Sequence, residues 1–252
     1  MTKGTANLTL SVKNLSHRYS AATGVNAINF EMRRGEVLGL LGPNGAGKST
    51  TMRMLTGNLA PSTGSVFICG VDLLKNPGTA KIHLGYLPEI PPLYLDMSVD
   101  EYLRLAATLH RVASHCVESA VKEARHRCGL DGRGRQIIGT LSKGFQQRVG
   151  IAQAIVHSPD VIILDEPTSG LDPNQIREVR HLIRALATCS CVIFSTHILS
   201  EVENVCDRVL IMHQGDIVFD RKMDDIHQQQ IRLDVIFTDL TQKHEGTEGQ
   251  RQ

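Results

Sequence analysis

Between positions 42 and 50 the chain reads Gly42-Pro43-Asn44-Gly45-Ala46-Gly47-Lys48-Ser49-Thr50, which fits the pattern G-x-x-x-x-G-K-[ST]. Glycines so placed let consecutive backbone N–H groups wrap a phosphate at a helix N-terminus, where the helix dipole adds to the attraction. Lys48 would neutralise β- and γ-phosphate charge, and the Ser49 hydroxyl would reach Mg²⁺. A second constellation lies far along the chain, where the aliphatic run Val161-Ile162-Ile163-Leu164 ends in Asp165-Glu166. An acid has no packing reason to end a buried strand. Asp165 is placed to hold Mg²⁺ through water, and Glu166 to polarise the water that attacks the γ-phosphate. His197 follows another apolar run, Cys191 to Ser195. An unpaired imidazole there is costly unless it meets a ligand, which suits a γ-phosphate sensor.

These side chains need elements to hold them. Val37 to Leu41 is continuously apolar, as a strand buried on both faces would be, and it opens straight into the glycine loop and a helix expected from Lys48 to about Leu55. The runs at 161–164 and 191–195 flank a helix capped by Asp172, with Pro173 at its first position and Ile176, Val179, Ile183 and Leu186 on its apolar face. Strands alternating with helices imply a mostly parallel sheet. Residues 8–19 and 25–31 instead alternate apolar and polar, as two strands of an antiparallel sheet. Val66 to Gly70 reads as a further strand, and Gly85 to Pro88 as the start of a proline-rich loop. From Ser98 to Leu130 the pattern is helical, with Asp96 or Ser98 as N-cap. Arg208–Met212 and Ile217–Phe219 read as a closing hairpin, and Thr238 to Gln252 as a disordered tail. The fold class is therefore α/β: a phosphate-loop core with a mostly parallel sheet, an N-terminal antiparallel β subdomain and an inserted α-helical subdomain.

The two acidic and glycine motifs are shared by many nucleotide hydrolases and leave the class open. What lies between them narrows it. Leu141-Ser142-Lys143-Gly144-Phe145-Gln146-Gln147-Arg148 resembles the signature segment of ABC (ATP-binding cassette) ATPases, Pro167-Thr168-Ser169-Gly170-Leu171-Asp172 their D-loop, and Ser195-Thr196-His197 their switch histidine. The resemblance covers about residues 8–227, and places an ATPase domain at 7–228, its helical subdomain at about 89–155 and a C-terminal extension at 229–252. It implies an ATP- and Mg²⁺-dependent ATPase powering transport. It also implies a head-to-tail pair, with a second copy or a related subunit, in which Ser142, Lys143 and Gly144 of one chain close over the γ-phosphate held by the other. Tyr19 takes the place of the family's adenine-stacking aromatic.

Two departures from the family pattern stand out. Glu89 occupies the usual Q-loop glutamine position and is expected to approach or ligate Mg²⁺, since an acid about 4 Å from the γ-phosphate otherwise repels it by roughly 4 kcal/mol at an effective dielectric near 20. Lys143 and Phe145 replace glycine and glutamine; Lys143 either adds charge facing the partner's phosphate or is a solvated surface lysine. With Tyr94 to Met97 and the Asp172–Gln175 run, these features resemble the bacterial gliding-motility and multidrug branch of ABC exporters with ABC-2-type permeases. The family docks its integral membrane permease at residues of about 88–140. There Leu93, Tyr94 and Leu95 are either the partner surface or packing inside the lobe.

Composition agrees with a peripheral subunit. Lysine plus arginine (27) balances aspartate plus glutamate (26), so no global field argues for nucleic acid. No apolar run approaches the roughly 20 residues of a membrane span, and Met1-Thr2-Lys3-Gly4 does not open a signal core, which points to a cytoplasmic location; the resemblance implies that a permease holds the subunit on the inner face of a bacterial plasma membrane. The six dispersed cysteines read as reduced thiols, and the 11 histidines show no metal-ligand spacing. A non-transport ABC ATPase acting on nucleic acid or ribosomes is the alternative class. It is disfavoured because such chains usually carry tandem cassettes or a long coiled-coil insertion, whereas here Lys48 and Ser142 are only 94 positions apart with no sustained heptad.

Overall fold

The computed structural model describes residues 8–20, 24–230 and 232–242. Strands β1 (Leu8–Arg18) and β2 (Gly24–Arg33) pair antiparallel. In β2, buried Ile28, Phe30 and Met32 alternate with exposed residues, so one face of this sheet meets the core. The alternation breaks between Val25 and Ile28, where Ala27 has a φ of +38° and the register with β1 shifts, as at a β-bulge. Strand β3 (Val37–Leu41) leaves this sheet and feeds α1 (Lys48–Leu55) with the predicted bounds. Strands β4 (Thr63–Ile68) and β5 (Val71–Asp72) return to it, giving the order β2-β1-β4-β5. The strand expected to reach Gly70 stops at Ile68, because Cys69 and Gly70 adopt left-handed φ values of +49° and +79° that turn the chain into β5.

A short helix α2 (Pro77–Ala80) leads to β6 (Leu84–Leu87). The sequence reading placed a loop from Gly85; the structure makes it an edge strand paired parallel with β7 (Val161–Leu164). Four residues with one glycine and no β-branched side chain carry little strand signal of their own, and pairing supplies the rest. A Cβ at Gly85 would collide with the carbonyl of Ala154, so this glycine lets the end of a helix press onto the sheet. That helix belongs to the inserted lobe of α3 (Val99–Leu109), α4 (Val117–Arg127) and α5 (Lys143–Ile155). Ser98, not Asp96, caps α3: its hydroxyl accepts from the Glu101 N–H while the Glu101 carboxylate accepts from the Ser98 N–H at 2.8 Å.

After β7 come α6 (Pro173–Ala187), β8 (Cys191–Thr196), α7 (Leu199–Val205) and the hairpin β9 (Arg208–His213) with β10 (Asp216–Lys222). The second sheet has the order β10-β9-β3-β8-β7-β6, parallel except for β10. Alternate residues of its buried strands serve two cores. Ile162, Leu164, Val192, Phe194, Val209 and Ile211 face the helical side, whereas Val161, Ile163, Cys191, Ile193, Leu210 and Met212 face α1 and the antiparallel sheet. On α6, Val179, Ile183 and Leu186 are buried as expected and Ile176 is only partly so.

The chain continues into α8 (Met223–Gln228) and α9 (Leu233–Gln242). The tail expected to be disordered from Thr238 is helical to Gln242, because buried Leu233 and the partly buried Ile236, Phe237 and Leu240 form one apolar stripe against the core. The rest of that tail lies outside the described residues. All six cysteines are free.

Candidate active site

Parallel strands place their C-terminal ends on one edge of the sheet, and that edge collects the chemistry. Leu41 of β3 stands opposite Thr196 of β8, and Leu164 of β7 stands opposite both Phe194 of β8 and Leu87 of β6. The residues that follow these four strand ends are the glycine loop, His197, Asp165-Glu166 and Pro88-Glu89. A cleft of about 420 Å³ opens there, walled by Tyr19, Pro43, Asn44, Gly45, Gly47 to Thr50, Glu89, Glu166, Ser169 and His197.

The loop's shape depends on two glycines. Gly47 precedes α1 with a φ of +106° and Gly45 has a φ of +81°, conformations closed to most side chains. The first N–H groups of α1 lack intrahelical acceptors and so face the cleft mouth as donors. The Lys48 ammonium is folded back on the loop, donating to the Gly42 carbonyl at 2.6 Å and to that of Pro43 at 3.2 Å, and it lies 3.9 Å from Glu166 Oε1. Burial lowers the Lys48 pKa, opposed by the carboxylates of Glu166, Asp165 and Glu89.

The acids are held from β8. Ser195 Oγ donates to Asp165 Oδ1 at 2.5 Å and accepts from the Glu166 N–H at 2.9 Å. Glu166 has a left-handed φ of +47°, an uncommon state for a side-chain-bearing residue and one concentrated at working sites. Its carboxylate contacts His197 Nδ1 at 3.0 and 3.2 Å, leaving Nε2 as the ring nitrogen free of that contact. Burial raises the Asp165 pKa; the Ser195 hydrogen bond lowers it, Glu89's charge raises it, and Lys48 and a Ser49 hydrogen bond lower it. An anion so desolvated, joined to a serine hydroxyl and close to a second carboxylate, is a hard-oxygen donor set that fits Mg²⁺.

Tyr19 stands at the cleft mouth, 55% exposed, its ring edge-on to His17 with centroids 4.6 Å apart. Glu89 is on the cleft wall and exposed. The other predicted site residues are not brought into this cleft. Ser142 is the N-cap position of α5, with an exposed side chain that makes no capping bond. Lys143 packs its ammonium against Gly170, and a Cβ on Gly144 would meet the Gln175 side chain at 2.5 Å. The segment 142–144 is therefore braced on the segment 170–175 of the same chain. Asp172 caps α6, accepting from the N–H groups of Asn174 at 2.9 Å and Gln175 at 3.0 Å. Of the apolar residues between Ile90 and Leu95, Leu93 packs against the core, whereas Tyr94 is 59% and Leu95 50% exposed.

Sequence reasoning treated Ser195 and Thr196 only as motif letters and gave Glu201 no part. The available signal was two hydroxyl residues closing a strand whose every position is buried. It also missed a convergence in space without a sequence spacing: donor atoms of Cys69, His83 and Asp160 lie within 4.8 Å of one another at the far ends of the strands. Asp160 there already accepts from His83 at 2.7 Å and pairs with Arg34 at 3.7 Å, a network whose charges meet each other.

Comparison with known proteins places this geometry. The profile described as ABC transporter matches residues 25–169. The Bacillus subtilis ABC transporter ATP-binding protein YxlF is 37% identical over 237 residues, 94% of this chain and 78% of that protein. The Nod factor export ATP-binding protein I of Cupriavidus pinatubonensis is 32% identical over 232 residues, 90% of this chain and 70% of that protein. Among solved structures, an ATP-binding subunit of an ABC transporter superposes with a TM-score of 0.81 at 33% identity, covering 92% of this chain and 99% of that one.

Proposed function

This chain belongs to the ABC transporter family as an ATP-binding, ATP-hydrolysing subunit, and from that premise we propose how its residues divide the work. The base of ATP stacks on Tyr19, and the N–H groups of residues 42–50 take the phosphates at the start of α1. Lys48 exchanges its bonds to the Gly42 and Pro43 carbonyls for β- and γ-phosphate oxygens. Ser49 and Asp165 would hold Mg²⁺, with Glu89 reaching toward it from the loop after β6, and the metal would supply positive charge against the phosphates. Glu166 accepts a proton from the water whose oxygen bonds to the γ-phosphorus, while the bond to the β–γ bridging oxygen breaks and leaves ADP and phosphate. His197, oriented through Nδ1 by Glu166, turns Nε2 to the γ-phosphate.

The observation that carries this reading is the meeting of Lys48, Glu166 and His197 within 3.9 Å contacts at the strand ends. Ser142, Lys143 and Gly144 complete the site in trans. Their position outside their own chain's cleft supports a head-to-tail pair in which each chain finishes the other's γ-phosphate shell. Residues 7–228 form the ATPase unit. The surface at about 88–140, with exposed Ile90, Tyr94 and Leu95, receives an ABC-2-type permease and holds the subunit on the inner face of the membrane. The export assignment rests on the relatives' names and on the motif resemblance. No helix among the described residues is long and apolar enough to cross a membrane.

Glu166→Gln tests the site. With MgATP the variant should bind nucleotide normally, hydrolyse it roughly 10² to 10⁴ times more slowly and elute from a sizing column as a dimer. Hydrolysis at the wild-type rate would remove Glu166 from the mechanism, and a monomer in saturating MgATP would remove the shared site.

A further inference from the structure

One buried acid has no part in the cleft chemistry. Glu201, on α7, is 1% exposed, and no lysine, arginine or histidine among the described residues pairs with it. Burying a carboxylate costs several kcal/mol unless its oxygens are satisfied. Both are, by hydroxyls. Thr168 Oγ1 donates to Glu201 Oε1, and Thr196 Oγ1 donates to Oε2 at 2.5 Å while accepting from the Ile198 N–H at 3.0 Å. The threonines are themselves buried, at 5% and 0% exposure.

The placement gives this network its meaning. Thr168 lies two residues after Glu166 and Thr196 one residue before His197. One carboxylate thus ties the segment leaving the acid to the segment leading into the imidazole, and those two side chains meet at 3.0 Å. The brace is anchored in turn. A Cβ on Gly39 would meet Val202 Cγ2 at 3.2 Å and Cys206 Sγ at 2.6 Å, so α7 presses onto β3, the strand that launches the phosphate loop. Side-chain hydroxyls from the end of β8 and from the turn after Glu166 converging on a fully buried acid are hard to explain by packing alone, since an apolar residue would fill the space at lower desolvation cost.

We propose that Glu201 is a positioning residue for ATP hydrolysis, fixing Glu166 and His197 relative to each other through Thr168 and Thr196. The inference rests on the reading of Glu166 as the water-activating acid and His197 as the γ-phosphate contact. It predicts a loss confined to turnover, because no residue that would contact the nucleotide in the ground state through residues 42–50 touches Glu201.

The test uses the full chain with Glu201→Ala, Glu201→Gln, His197→Ala and the double variant Glu201→Ala/His197→Ala. Hydrolysis is followed under single-turnover conditions with labelled ATP, ATP affinity by equilibrium titration and integrity by thermal melting. Glu201→Ala should lower the hydrolysis rate about 10- to 100-fold, as misplacement of a reacting group does, with ATP affinity within about twofold of wild type. Glu201→Gln, which keeps shape and one acceptor oxygen, should recover part of that rate and guards against a variant that fails to fold. The double variant should be slower than His197→Ala by less than the Glu201→Ala factor, since the part of the effect exerted through His197 vanishes without it. A Glu201→Gln protein that melts like wild type while Glu201→Ala hydrolyses at the wild-type rate would overturn the proposal. So would losses that multiply in the double variant, or ATP affinity falling in step with turnover. If Glu166→Gln and His197→Ala both hydrolyse ATP normally, the underlying site assignment fails, whatever the Glu201 variants do.

Discussion

Ser195→Ala removes one oxygen that holds two functional groups. Ser195 is fully buried, its hydroxyl receives the Glu166 N–H at 2.9 Å, and it gives its proton to Asp165 Oδ1 at 2.5 Å. Alanine leaves a buried N–H without an acceptor and a buried carboxylate without one of its two hydroxyl donors. At about 1 to 3 kcal/mol for each unsatisfied group, the variant should be less stable by roughly 2 to 6 kcal/mol. The functional loss should be separate from this. Glu166 holds a left-handed φ of +47°, and the lost hydrogen bond is one restraint on that state. Relaxation would swing the carboxylate off its line to the attacking water, for a rate loss of about 10- to 100-fold. The Ser195 bond also lowers the Asp165 pKa against the raising effect of burial, so its loss moves that pKa further up. Mg²⁺ needs the ionised carboxylate, so the pH below which MgATP binding weakens should rise. Urea denaturation reads the first effect, turnover at saturating MgATP the second, and the dependence of MgATP affinity on pH the third. Unfolding free energy within about 0.5 kcal/mol of wild type, together with unchanged turnover, would refute the reasoning.

Three further expectations follow from the same geometry. Asp165→Asn should stabilise the nucleotide-free chain at pH 7 while abolishing Mg²⁺-dependent hydrolysis. The folded-state pKa of Asp165 lies above its unfolded value, so its favourable contribution is complete below the ordinary carboxylate range and is lost as pH rises through the raised value. The variant's advantage in urea should therefore shrink on acidification, and an advantage independent of pH would contradict this. Gly47→Ala forces a φ of +106° on a side-chain-bearing residue and puts a Cβ 3.1 Å from Val25 Cγ2. It should cost at least about 1 to 2 kcal/mol and lose ATP binding by calorimetry, whereas wild-type affinity would show that the loop does not use this conformation. Glu89→Gln should change the Mg²⁺ concentration needed for half-maximal hydrolysis, since Glu89 raises the pKa of both Lys48 and Asp165; an unchanged Mg²⁺ curve and rate would show that Glu89 stays clear of the metal.

The amino-acid sequence alone determined the parts with strong local causes. Gly45 and Gly47 announce a left-handed loop because few other residues adopt it, Asp172-Pro173 announces a helix start, and fully apolar runs ending in Asp165-Glu166 or Ser195-Thr196-His197 announce buried strands with chemistry at their ends. Order along the chain was enough to identify the family. Other features exist only through partners distant in sequence. Gly85 to Leu87 is a strand because β7 lies beside it, and α9 persists past Thr238 because the core accepts Ile236, Phe237 and Leu240. The Lys48 ammonium is held back on its own loop, and the segment 142–144 is braced on 170–175 rather than on the cleft. Above all, the network joining Thr168, Glu201 and Thr196 spans 33 residues, and its bonds depend on α7 packing against β3. Local preference fixes a residue's backbone state; which hydroxyl finds which buried carboxylate is decided only when the layers close.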